Sequence, residues 1–373
     1  MADFQKLQAV IDVLQQQYHI PSADIIVMQD HRQLYRYMNG VCDKEGQKPV
    51  SAQTQYYMYS CTKPITVVTA LTLLERGKIR LDDPVAKYLP EYGQMYLLRD
   101  GKKIYVEEKM TLRHLFTMSA GLSYDLRLPS VQELLAADPM ADTRSMARAF
   151  AQQPLQFFPG ERFLYSVCHD VLGAVIEVAS GMSFGDYMKQ AVLDVAGMTH
   201  TFFAQKNHIP DALCAQYLWW KQYGFEYSME NQYVLSERYQ SGGAGLVSTT
   251  EDYALFCDML ACGGVCQNGN RVLQPETIAL LQTPQCSEGM EKTFNCASGP
   301  GYTYGLGVRV RCDGMGHDGE IGWDGAAGAL VFADPAMHLS IAYTQHVLHW
   351  VDLAGYIHRP MRDAVYAALS CDR

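Results

Sequence analysis

The chain has 373 residues, 48% of them hydrophobic and 19% charged; this balance excludes intrinsic disorder, collagen and coiled coil as overall descriptions. Its 30 basic and 40 acidic residues leave a formal charge of −10, and no Lys/Arg cluster stands out, which argues against a nucleic-acid partner. A chain of this length forms two domains, or one large one with an insertion, and buries enough surface to fold without disulfides or a metal.

The first residues carry apolar side chains at Phe4, Leu7, Ile11 and Leu14. That is the spacing of an amphipathic helix, and the Gln and Asp between them do not fit a signal peptide. Strand-like runs follow at 23–28 and 33–38, with Asp30-His31 as the hairpin turn. A helix is expected over 60–74, with Pro64 tolerated in its first turn and Gly77 ending it. Further helices are expected at 111–118, 145–152, 169–179 and 184–195. The Gly-rich stretch 241–245 precedes another at 250–261. Strands return at 304–311, 329–334 and 339–344, and a helix over 356–369 closes the chain. This order predicts an α/β protein of the α+β type. Residues 1–80 and 240–373 would form a discontinuous domain, an antiparallel sheet flanked by helices. Residues 81–239 would form a mostly helical domain, with an active site between the two.

Cys257, Cys262 and Cys266 lie close together, but none of the 11 cysteines forms a CxxC pair and the 11 histidines show no ligand spacing. No metal is expected from these patterns. No apolar run approaches the length of a membrane span, so the chain reads as cytoplasmic, with reduced thiols and no membrane partner.

Ser60-Cys61-Thr62-Lys63 is an S-x-x-K motif at a helix start. Positions i and i+3 share a helix face, so the Lys amine can approach the Ser hydroxyl. A partly desolvated Lys can take the proton that a Ser hydroxyl must lose to attack a carbonyl. On spacing alone, the same residues also fit an N-cap Ser with a solvated Lys. A second stretch, Tyr165-Ser166-Val167, follows Pro159-Gly160, and a third, Trp323-Asp324-Gly325, runs into the strand ending at Asp334-Pro335.

These stretches occur in order with Leu81-Asp82-Asp83-Pro84, His114-Leu115-Phe116, Ser119-Ala120-Gly121-Leu122 and Gly242-Gly243-Ala244-Gly245. Together they resemble the serine β-lactamase-like superfamily, in its branch of class C β-lactamases, D-alanyl carboxypeptidases and family VIII-type esterases. The resemblance covers most of the chain from about residue 51 to residue 335. It implies the β-lactamase/penicillin-binding-protein-like fold, with Ser60, Lys63 and Tyr165 as catalytic residues. It also implies an oxyanion hole from the N–H groups of Ser60 and Ala326, and substrate binding by Trp323, Asp324 and Gly325. Val167 stands where the β-lactamase version carries Asn. Two stretches compete for the third element, His317-Asp318-Gly319 and Trp323-Asp324-Gly325; the following strand favours the second, which is the esterase pattern. An indole and a carboxylate at that position suit a neutral or cationic substrate, the alternative being that Asp324 pairs with a basic residue.

Gly181-Met182-Ser183-Phe184-Gly185 matches the G-x-S-x-G nucleophile elbow, but the run before it has helical spacing. Gly181 reads as a helix C-cap and Ser183 with Asp186 as the next capping box. His346 and His349 read as structural or pocket-lining. Cys61 and Cys168 read either as oxidation-sensitive neighbours of the site or as small buried residues. The expected function is a serine hydrolase forming an acyl-enzyme on a small-molecule ester, with no cofactor or metal. The alternatives are a β-lactamase or D-Ala-D-Ala-type peptidase acting on an amide, an acyltransferase, or a non-catalytic binding protein of the same fold. The sequence gives no indication of oligomeric state.

Overall fold

An apolar run bounded by turn signals forms a strand buried on both faces. Strand β1 (Ser22–Gln29) is such a strand, buried along nearly its whole length. It turns back through Asp30 and His31, both left-handed at φ 49° and 63°, the backbone of a tight hairpin turn. Strand β2 (Arg32–Gly40) is the more exposed edge. The structure, a computed structural model, describes residues 2–294, 300–314, 316–350 and 357–370.

Short strands β3 (Gln55–Tyr57) and β4 (Leu246–Thr249) pair antiparallel. The C-terminal part supplies β5 (Tyr302–Tyr304), β6 (Arg309–Arg311), β7 (Ile321–Asp324), β8 (Leu330–Asp334) and β9 (Leu339–Thr344). The main sheet has the order β5-β6-β7-β8-β9-β1-β2, every pair antiparallel. Sheet residues alternate between two cores, as the period of two requires. Ile25, Val27, Leu330, Phe332 and Ile341 pack with helices α1 (Gln5–Tyr18) and α5 (Arg359–Ser370). Ile26, Met28, Val331, Ala333 and Ala342 join the larger core of α2 (Thr62–Glu75), α3 (Cys168–Ser180) and α4 (Thr250–Ala261). That core also takes in Leu112, Phe150 and Val192 from the mainly helical middle of the chain.

The expected fold class is the one observed. Three elements differ in detail. The run over 304–311 is two strands, because Gly305 and Gly307 turn the chain. A Cβ at Gly305 would lie 2.3 Å from the Leu281 carbonyl oxygen, and Gly307 has φ 75° beside Val67. The helix expected over 184–195 is an α-helix at Phe184–Met188 followed by a π-helical stretch at Lys189–Leu193. The closing helix is described from Arg359, and residue 356 of the expected span lies outside the described residues. Two hairpins, Tyr96–Arg99 with Lys102–Tyr105 and Tyr217–Trp220 with Gly224–Tyr227, fall in the stretch read as helices and loops.

The Gly-rich loop before β4 packs without room for side chains. A Cβ on Gly242 would sit 2.2 Å from the His169 carbonyl oxygen of α3. Gly242→Ala is therefore expected to force the loop off α3 and lower stability by about 1–3 kcal/mol, the usual scale of overpacking. Urea unfolding monitored by circular dichroism checks this.

Candidate active site

Ser60 sits in a 3₁₀ turn, Tyr59–Cys61, between β3 and α2. The expected helix thus begins as a tighter turn that carries the hydroxyl. Tyr59 is left-handed at φ 47°, an uncommon backbone for a bulky residue that its surroundings must hold in place. Its buried phenol donates to Gln216 Oε1, and its ring meets Tyr57 and Tyr233 edge-on. The turn is pinned from three sides. Tyr253 of α4 donates to the Cys61 carbonyl at 2.6 Å. The Leu246 N–H donates to Thr62 Oγ1 at 3.0 Å. Thr66 Oγ1 donates to the Gly242 carbonyl at 2.8 Å.

Lys63 lies on the first turn of α2 with no exposed surface. Its amine donates to the Gly243 carbonyl at 2.8 Å and to Tyr124 Oη at 3.3 Å, and it stands 4.3 Å from the centre of the Tyr165 ring. Burial lowers its pKa to about 7, against the nearby negative charge of Asp170, which raises it. Asp170 is itself buried. Its Oδ1 accepts from Tyr239 Oη and Ser241 Oγ at 2.6 Å and from the Gly243 N–H at 3.2 Å.

Tyr165 is hydrogen-bonded to Ser60, and burial pushes its phenol pKa well above the usual value. Trp323 stacks on its ring at 5.6 Å and donates from Nε1 to Tyr165 Oη at 3.1 Å. Trp323 is thus a partner of the phenol as well as an apolar surface. Tyr124 meets Tyr165 edge-on and stacks on Tyr233. Ser60, Tyr124, Tyr165 and Tyr233 are half-buried around the buried amine, so the group opens to solvent on its aromatic side.

Gly325 follows β7, and a Cβ there would lie 2.6 Å from the Met58 carbonyl oxygen. The end of β7 therefore abuts the chain two residues before Ser60. Ala326 is half-buried and packs with Tyr57 and Tyr59. Asp324 follows the second of its two readings. Its carboxylate pairs with Arg309 Nη1 at 2.7 Å and His358 Nδ1 at 3.0 Å. Burial would raise its pKa; Arg309 and His358 override that and hold the carboxyl well below the usual carboxylate range. Asp324 is thus paired and brings no free charge to a substrate.

The remaining candidates fall outside this group. His317 stacks on Tyr366 of α5 at 3.7 Å, with Nδ1 3.3 Å from Asp334. Ser183 caps the helix at Phe184–Met188, and Gly181 ends α3 in the left-handed conformation. His346 is buried between the Tyr57 N–H and the Cys214 carbonyl, whereas His349 packs on Trp220. Cys61 and Cys168 are fully buried, and burial pushes both thiols up, Cys168 to about 11. They are small buried residues, the second of the two readings, because a reactive thiol needs a thiolate and access. Sequence reasoning did not find Tyr124, Tyr233, Asp170 or Gly243. The Gly-rich stretch was the one available signal for Gly243.

Comparisons with known proteins find the following similarities. The family model described as Beta-lactamase matches residues 7–365. Esterase EstB of Burkholderia gladioli is 29% identical over 392 residues, covering 97% of this chain and 95% of that protein. The acyltransferase calJ of Penicillium decumbens is 27% identical over 323 residues, covering 76% and 73%. The solved structure of EstCE1, described as a hydrolase with promiscuous acyltransferase activity, superposes with a TM-score of 0.78 at 27% identity, covering 97% of this chain and 99% of that one.

Removing the Asp324 charge leaves Arg309 and His358 without their shared anion. Asp324→Asn is expected to cost about 3–5 kcal/mol in urea unfolding, the scale for breaking a buried pair from one side. It should leave the preference between neutral and anionic esters nearly unchanged, which parallel kcat/KM measurements check.

Proposed function

This chain belongs to the Beta-lactamase family, and from that premise we propose that it is a serine hydrolase working through an acyl-enzyme, a carboxylesterase on small neutral esters. The observation that carries the reading is the state of Lys63. Its amine is sealed from water, its pKa is lowered to about 7, and it donates two hydrogen bonds, to Gly243 and Tyr124. A neutral amine has two hydrogens and one lone pair. With both hydrogens engaged, the lone pair is left to take a proton.

In this mechanism Ser60 Oγ attacks the ester carbonyl as its proton passes to the Lys63 amine, with the Tyr165 hydroxyl bonded to the nucleophile. The N–H groups of Ser60 and Ala326 hold the oxyanion. The tetrahedral intermediate collapses, the alkoxide leaves with the proton returned from Lys63, and Ser60 keeps the acyl group. Water then attacks the acyl-enzyme by the same steps. An alcohol in place of water gives acyl transfer, a second reading favoured by two of the relatives, the acyltransferase calJ and EstCE1 with its promiscuous acyltransferase activity. Trp323 supports neutral substrates, because an indole bonded to Tyr165 offers no cation to meet a substrate carboxylate. Membrane partners gain no support from the helices: among the described residues, none is long and apolar enough to cross a membrane.

Ser60→Ala should abolish turnover of p-nitrophenyl esters and labelling by a fluorophosphonate probe, while Ser183→Ala keeps both; the opposite pattern would sink the assignment. Short neutral aryl esters should exceed a chromogenic cephalosporin in kcat/KM by more than about tenfold, or roughly 1.4 kcal/mol. Equal efficiency would make the protein a β-lactamase.

The pH profile is a further test. Below about 7 the Lys63 amine is protonated and cannot accept the Ser60 proton; above it the amine is neutral. Plots of log kcat/KM should therefore rise with pH to a plateau, with an apparent pKa about 7. Asp170 stabilises the cation, so Asp170→Asn should move the rising limb to lower pH. A limb that stays in place would remove Asp170 from control of the amine.

A further inference from the structure

A second group of reactive side chains stands apart from Ser60, at the turn between β1 and β2. His31 Nδ1 lies 2.7 Å from Asp258 Oδ2, and Cys262 Sγ lies 3.7 Å from Asp258 Oδ1. The three ligand atoms lie within 4.8 Å of one another. We propose that His31, Asp258 and Cys262 bind one zinc ion, which pins the β1–β2 turn to the end of α4.

Three features support the site. The donor set of imidazole nitrogen, carboxylate oxygen and thiolate sulfur is the set that zinc takes, with water in the fourth position. Asp258 and Cys262 stand at i and i+4, on one face at the end of α4, and two donors one turn apart make a chelating pair. His31 comes from far away in the sequence, and its backbone is left-handed at φ 63°, in a turn position that glycine usually takes. The fold therefore places an imidazole where a smaller residue would fit more easily. Gln267 Nε2 holds the turn by donating to the His31 carbonyl at 2.8 Å.

The ion-free arrangement has its own logic. The Asp258 side chain is fully buried, and in the absence of metal its two oxygens face the imidazole and the thiol. Cys262 Sγ stands 3.7 Å from Asp258 Oδ1 as a donor, so the thiol carries a proton that zinc must displace. On binding, bonds form from zinc to Nδ1, to a carboxylate oxygen and to Sγ. The S–H bond breaks and its proton leaves to solvent. The Nδ1–H that faces Asp258 Oδ2 gives up its proton, and the neutral ring carries its one proton on Nε2 instead, which frees the Nδ1 lone pair for zinc. No electron changes hands.

The experiment uses the full-length chain without an affinity tag, stripped with EDTA and dialysed. Isothermal titration with zinc chloride should show one ion per chain at micromolar affinity or tighter, with a proton released. Thermal unfolding should shift to higher temperature with zinc, since the folded chain alone holds the site. His31→Asn and Cys262→Ala should each weaken zinc binding by at least about 100-fold, beyond the usual effect of a lost outer partner. Cobalt should give a thiolate charge-transfer band that Cys262→Ala removes and that Cys312→Ser, at an exposed cysteine elsewhere, retains. If Cys262→Ala does not fold, His31→Asn carries the comparison, because Asn tolerates the left-handed turn. A wild type that binds no zinc in this range overturns the proposal, and so does zinc binding that either variant leaves unchanged.

Discussion

An amine with no exposed surface has to find every partner inside the protein, and much of the site follows from meeting that demand at Lys63. The hydrogens go to Gly243 and Tyr124. A Cβ at position 243 would lie 2.6 Å from Asp170 Oδ2 and 3.3 Å from Lys63 Nζ, so a side chain there would push the aspartate and the amine apart from their present partners. Asp170 must in turn be satisfied, and Tyr239, Ser241 and the Gly243 N–H bind its Oδ1. The loop that receives the lysine is thus the loop that holds the aspartate. Removing any member strands a buried polar group, which costs more than the net value of the bond itself.

The strand at the other side of the site is held from both faces. Along β7, Trp323 points to Tyr165 and Asp324 to Arg309 and His358. His358 also reaches the Gly328 carbonyl at 3.1 Å, so one imidazole touches both ends of the turn that carries Ala326. Behind it, Glu320 is buried beside Arg311 and Arg362, and burial raises its carboxyl to about 7. The turn near Ser60 therefore rests on an ionic layer beneath the C-terminal helix.

Much of this was legible in the sequence. β1, β8 and β9 announce themselves as apolar runs between turn residues, and the spacing of Leu7, Ile11 and Leu14 identifies the buried face of α1. The S-x-x-K, Tyr-Ser and Trp-x-Gly stretches, taken in order, locate the side chains that the fold assembles. What stayed hidden depends on distant partners. Asp324 reads as a free charge until Arg309 on β6 and His358 ahead of α5 are brought beside it. Asp170 reads as one polar residue near the start of a helix until the Gly-rich loop closes over it. The β5–β6 hairpin hides in an apolar stretch, because its turn residues Gly305 and Gly307 are set by contacts with Leu281 and Val67. His31 and Cys262 are joined only by the way α4 crosses the sheet.

Helix α2 is enclosed from Thr62 to Leu73 on all its sides. Such a helix has almost no freedom to accept substitutions, because each face already meets a neighbour at native packing density. Room for change lies elsewhere, at half-buried residues such as Tyr233, which is anchored on another segment. In the proposed reading the nucleophile and the aromatic rim belong to different parts of the chain, so the rim can change while α2 stays fixed. A protein engineer would treat α2 as a constant and the aromatic rim as the variable.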